Sequence, residues 1–158
     1  MNRSRGVTLI ELLVTIIVLA ILTTIAFPGF RNLAERRRLI NATEAIYAEV
    51  QFARSEAVKR SRSLTVNVAD SCLTIAEASA SPALLLTSTC IALFPAISLA
   101  ATGMPMALDP VRGIPSPTGG TLVLTSPSGL ETRVIVSRFG RVRICSPATK
   151  KVGGYPSC

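Results

Sequence analysis

Three patterns of apolar and polar positions divide the chain. From Val7 to Phe30 the sequence VTLIELLVTIIVLAILTTIAFPGF is apolar throughout, and Glu11 is its one charge. A helix of that length extends about 36 Å, enough to cross a bilayer core with some tilt. Pro28 and Gly29 close the run. Proline removes a backbone donor, so a bend is expected at Pro28, where the chain leaves the lipid. Over residues 31–62 the spacing changes. Leu39, Ala42, Ile46, Val50, Ala53 and Ala57 recur at steps of 3 or 4, one apolar stripe of an amphipathic helix. Glu44, Glu49, Arg54, Glu56 and Lys59 are expected mostly on the opposite face, and the stripe should lie on a sheet.

After Ser63 the period becomes 2. LTVNVA (64–69) and CLTIAEA (72–78) read as a strand pair around Asp70-Ser71. TLVLTS (121–126) and LETRVIVS (130–137) flank the turn signal Pro127-Ser128-Gly129, and RVRIC (141–145) follows Phe139-Gly140. About five to seven antiparallel strands are expected. The uncharged stretch over 83–101 reads as buried strands and apolar loops. Pro95, several Ser and Thr, and Cys90 argue against a second membrane span there. Gly103 to Gly120, with Pro105, Pro110, Pro115 and Pro117, reads as a loop without regular structure. The fold class is therefore α+β: a long amino-terminal helix whose second half packs on an antiparallel β domain over 63–158.

Composition narrows the chemistry. The chain has no His and no Trp, so the commonest neutral-pH acid/base and metal ligand is missing. There is no G-x-S-x-G, no P-loop, and no base placed to activate a Ser or Cys. No catalytic residue, cofactor or small-molecule substrate is expected. The four cysteines, Cys72, Cys90, Cys145 and Cys158, form no C-x-x-C pair, so no metal site is expected. All four lie beyond the apolar run, and an even number there suits two disulfides in an oxidising compartment. Of the three possible connectivities, 72–90 with 145–158 is favoured because each closes a short local loop. Buried free thiols are the alternative.

The run is too long for an ordinary cleaved secretory signal. A plain anchor gains nothing from Glu11, since a carboxylate at mid-bilayer costs roughly 2.5–3.5 kcal/mol. The residues before it are more specific. S-R-G followed by V-T-L-I-E-L, with Arg3 and Arg5 in a short basic leader, resembles the class III prepilin signal of type IV pilins and type II secretion pseudopilins. The resemblance implies cleavage between Gly6 and Val7 by a prepilin peptidase and methylation of the new Val7 amine. Val7 departs from the family's usual Phe at that position. The resemblance also implies segments at 1–6 (leader), 7–30 (membrane and assembly helix), 31–62 (its amphipathic continuation) and 63–158 (periplasmic domain). Inner-membrane lipid and other pilins or pseudopilins are then partners of the amino-terminal helix. Once the leader is gone, the Val7 amine is a cation in an apolar setting. Glu11 of a neighbouring subunit can neutralise it, because a pair is tolerable in low dielectric where a lone charge is not.

Net charge is +8, and removal of the leader takes away two of the 17 basic residues to leave +6. The cations are clustered. From Thr132 to Cys158 there are six (Arg133, Arg138, Arg141, Arg143, Lys150, Lys151) and no acid. A field of one sign at one end suits a polyanion such as nucleic acid or acidic lipid. Within this tail, G-R-V-R (Gly140, Arg141, Arg143) resembles a Gly-Arg-x-Arg motif of FimT-like minor pilins linked to DNA uptake in natural transformation. The late basic motif and the two-sheet domain implied by the pilin resemblance point to the FimT/GspH group. On a strand, Arg141 and Arg143 would share one face, about 6–7 Å apart, and meet phosphates. Arg138, Lys150 and Lys151 are candidates for the same surface, with the two lysines held in a 145–158 disulfide ring. A solvated strand face is the competing account of these arginines. Phe139 and Tyr155 are the nearby aromatics, with Phe139 expected in the core. The alternative function is an H-type minor pseudopilin of a type II secretion system, which needs no DNA.

Overall fold

The computed structural model describes residues 8–77 and 84–158, with the side chains of residues 25–28 set aside. Gly6, Val7 and the bend expected at Pro28 thus lie outside the described part. The chain divides into two compact units, Met1–Glu35 and Arg36–Cys158. One helix, α1 (Leu9–Arg60), contributes to both.

The described part of the first unit is helix. Its apolar side chains have no cover within the chain: Leu9, Ile10, Ile16, Leu19 and Leu22 are all more than half exposed. Thr15, Thr23 and Thr24 turn their hydroxyls back to carbonyls three residues earlier, so none presents an unpaired polar group on the apolar surface. Among the described residues no single helix is long and apolar enough to cross a membrane. Leu9–Thr24 taken together with the helix from Gly29 passes by length and composition.

The second unit is built on the apolar stripe. Leu39, Ala42, Ile46, Val50, Ala53 and Ala57 are each at most 1% exposed. Around them, among the described residues, stand nine strands: β1 (Leu64–Ala69), β2 (Cys72–Glu77), β3 (Leu85–Cys90), β4 (Ser98–Thr102), β5 (Met106–Leu108), β6 (Pro115–Ser116), β7 (Gly120–Thr125), β8 (Glu131–Val136) and β9 (Val142–Cys145). They form two antiparallel sheets, β3-β2-β1-β5-β6 and β4-β7-β8-β9. The inward positions of both, among them Leu64, Val66, Ile75, Leu122, Leu124, Val134 and Val136, join the stripe in one core. Alternation along β7 and β8 follows the period-2 pattern that defines them.

Three expectations are corrected. The proline-rich segment 103–120 is not a bare loop, because Met106–Leu108 pairs with both Leu64–Val66 and Pro115–Ser116 and buries Met106 and Leu108. Glu56 does not face solvent. It is 6% exposed and ion-paired with Arg60, whose hydrogen bond outweighs burial and holds the carboxyl below its ordinary range. Phe139 is not in the core, being 71% exposed.

Both favoured disulfides form. Cys72 and Cys90 face each other across β2 and β3, and Cys145 joins Cys158 across a sequence separation of 13.

Candidate assembly segment and nucleic-acid interface

Thr8 precedes the first turn of α1 and its Oγ1 accepts the Glu11 backbone N–H at 3.3 Å. Thr8 and Glu11 thus stand at the spacing of a helix N-cap and its third residue, where a carboxylate also favours the positive end of the helix dipole. Glu11 is exposed on the apolar helix. Its carboxylate is open to a neighbouring molecule, in a setting where an unpaired charge is costly.

The basic surface lies on the second sheet. The β8–β9 turn is closed by Gly140 N–H to the Ser137 carbonyl (2.8 Å) and Ser137 N–H to the Arg141 carbonyl (2.9 Å). Gly140 adopts φ +79°, a left-handed conformation that strains any residue with a Cβ. The β7–β8 turn repeats the scheme, with Gly129 at φ +82°. Gly140 is also enclosed: an added Cβ would lie 3.2 Å from the Gly113 carbonyl oxygen and 3.4 Å from Arg54 Cζ.

Beyond this turn Arg141 flanks β9 and Arg143 lies within it. Both are exposed and alternate with partly buried Val142 and Ile144, so the two guanidiniums take one face. Arg143 sits opposite Ile135, and Cys145 opposite Arg133, on the outer side of the sheet. Arg138 caps the turn with its guanidinium 4.7 Å from the Phe139 ring centroid, a cation–π contact at an exposed tip.

The lysines are placed differently. Lys150 donates to Glu131 Oε2 at 3.0 Å, and Arg133 Nε donates to Glu131 Oε1 at 2.7 Å. Glu131 is buried, which raises the pKa of its carboxyl, but these two hydrogen bonds outweigh burial and hold it below the ordinary carboxylate range. One carboxylate therefore offsets two cations of the patch. Glu131 and Arg133 were missed as site residues from sequence. The available signal was that Glu131 is the one acid after Asp109. Lys151 is exposed on the same loop.

That loop is pinned to the helix. Val152 is fully buried and its N–H donates to Ser146 Oγ, while Ser146 Oγ donates to the Glu131 carbonyl. Tyr155 donates to Glu44 Oε1 at 2.7 Å. Burial, and then that bond, raise the phenol's pKa. Gly153 lies beside Arg36. The lysine loop thus packs at the Arg36–Glu44 end of the helix and the Gly140 turn packs at Arg54. From Glu44 to Arg54 the helix rises about 15 Å. The residues grouped in sequence as one surface are spread along the domain, with Arg143 between the two ends. Among the described residues no carboxylate pairs with Arg141, Arg143 or Lys151, and no cluster of His, Cys, Asp or Glu could hold a metal ion.

Residues 1–27 match the prokaryotic N-terminal methylation motif, and residues 42–140 match the family described as type II transport protein GspH. No curated protein matches the chain by sequence. Among solved structures, the minor pseudopilin EpsH from the type 2 secretion system of Vibrio cholerae is similar at 17% identity. It has a TM-score of 0.58, with 70% of this chain and 98% of that one covered. The type IV minor pilin FimU of Pseudomonas aeruginosa is similar at 21% identity. Its TM-score is 0.59, with 78% and 98% covered. These likenesses establish the pilin-like fold. The GspH match takes in more than half of the sequence and the methylation motif stands at its start, and on that basis the chain belongs to the GspH family of pilin-like proteins.

Proposed function

We propose that this protein is a minor type IV pilin that binds DNA without sequence preference during uptake. Its leader is removed between Gly6 and Val7, the Val7 amine is methylated, and the helix holds the protein in the inner membrane before assembly. Glu11 then pairs with the amine of a neighbouring subunit. The observation that carries the DNA reading is the pair Arg141 and Arg143, exposed on one face at an edge strand with no carboxylate partner among the described residues. Phosphate contacts and counterion release supply affinity in such a case, so binding falls steeply with salt. No base-reading helix enters the account, because the one long helix buries its domain face under the sheets.

The test is titration of the full chain, in non-ionic detergent, with labelled duplex DNA at two salt concentrations. Binding that weakens as salt rises, and is lost in the Arg141→Gln/Arg143→Gln double variant, supports the proposal. Unchanged binding in that variant removes these residues from the site.

The GspH match and the EpsH-like fold favour a second reading, a minor pseudopilin near the tip of a secretion pseudopilus. A deletion strain separates the two. Lost transformation with intact protein secretion selects the pilin, and lost secretion selects the pseudopilin.

A further inference from the structure

We infer that the phosphate-binding surface continues from Arg141 over the Gly140 turn onto Arg54 and Arg112, residues that the G-R-V-R motif does not include. The inference rests on the DNA-binding reading and specifies where the backbone lies.

Two turns from different sheets close over one helical arginine. On one side is the β8–β9 turn at Gly140. On the other is the β5–β6 turn, where Asp109 Oδ1 accepts the N–H groups of Val111 and Arg112 at 2.9 and 2.7 Å and Gly113 adopts φ +62°. A Cβ on Gly113 would lie 2.8 Å from Arg54 Cγ, and one on Gly140 would lie 3.4 Å from Arg54 Cζ. The two turns also touch, as the Gly140 position faces the Gly113 carbonyl oxygen. Arg54 is thus clamped along its stem with its guanidinium beside the residue before Arg141. Arg112 is exposed on the neighbouring tip, and Arg54, Arg112, Lys59, Gln51, Ser55 and Val58 line one open cleft.

The nearby acids are already engaged. Asp109 holds its own turn, and Glu56 is paired with Arg60. Among the described residues neither Arg54 nor Arg112 has a carboxylate partner. A planar guanidinium fixed by packing loses little freedom when it meets a phosphate, so Arg54 is pre-organised in a way that an extended lysine is not. Continuity with Arg141 selects a polyanion backbone over a single small anion. DNA lying across this end contacts Arg143, Arg141, Arg54 and Arg112, and leaves Lys150 and Lys151 near its margin.

The experiment uses the full chain in non-ionic detergent and fluorescence anisotropy with labelled duplex DNA at 50 and 200 mM salt. Each lost phosphate contact reduces the affinity ratio between those two salts by about three-fold. Arg112→Gln, at an exposed tip, and Arg54→Gln should each show that reduction, while Lys150→Gln/Lys151→Gln should show a smaller change. Arg112→Gln serves even if Arg54→Gln fails to fold. If the wild-type protein does not bind DNA, the underlying reading fails. If it binds, and Arg141→Gln/Arg143→Gln weakens it while Arg112→Gln leaves affinity and salt dependence unchanged, the extension is overturned and the reading stands.

Discussion

Single carboxylates decide much of what this molecule can do. Glu11 stands alone on an apolar helix, where an unpaired charge has no compensation in lipid. Glu11→Ala should still insert and be processed, yet fail to enter filaments. Fractionation of sheared filaments against membranes checks this, and normal incorporation would refute the assembly role. Glu131 acts in the opposite sense, by holding two cations back. Glu131→Gln should release Arg133 and Lys150 and tighten DNA binding, with a steeper salt dependence in the same anisotropy assay. The depressed pKa of Glu131 also gives a sign for stability against pH. Its contribution is fully present above the unfolded value near 4.5 and is lost as pH falls through the lower folded value. Unfolding midpoints of wild type and Glu131→Gln should therefore converge as pH falls below the ordinary carboxylate range, and parallel curves would exclude the coupling. Glu11 was legible from sequence, whereas the Glu131 network was not, because there Glu131 is one acid ahead of a basic run. Its partners meet it only because β8 carries Arg133 two residues on and the disulfide loop returns Lys150 beside it.

Elements were the most legible level. The helical stripe places the same six residues in the core that its spacing singled out, since a period of 3.6 leaves one face for the sheets. Strands β1, β2, β7 and β8 appear where period-2 runs meet turn signals, because alternation and turn chemistry agree there. The 103–120 segment was misread for a physical reason. β5 is three residues long and β6 two, too short to show a period, and their pairing depends on β1. Phe139 was misread because a large aromatic at a hairpin tip carries no local sign that its ring lies outside. Gly140 carries the clearest prediction at this scale. Gly140→Ala adds a Cβ at positive φ, against a carbonyl oxygen and Arg54, and should cost about 1–3 kcal/mol in denaturant unfolding. The core stripe gives a second. Ile46→Ala empties a fully buried site and should cost about 2–5 kcal/mol by the same measurement.

At the scale of the whole molecule, two units with opposite needs share one helix. The domain from Arg36 buries its helical stripe and the inward faces of both sheets in one core, whereas the segment before it leaves Leu, Ile and Val exposed along its described length. Such a surface calls for cover from outside the chain, and on the proposed reading removal of the leader lets the helix pass from lipid to neighbouring copies. The basic domain then follows wherever the helix is assembled. The extent of the basic surface was hidden in the sequence. Arg54 and Arg112 lie far along the chain from Arg141, and only the meeting of two glycine turns makes them neighbours.

The central claim is that the protein acts as a processed assembly subunit whose new amino terminus meets Glu11 on an adjacent copy. Intact mass and amino-terminal peptide mapping of protein isolated from its native membranes test this most directly. The account predicts a chain that begins at a methylated Val7. A mature chain that still begins at Met1 would contradict it.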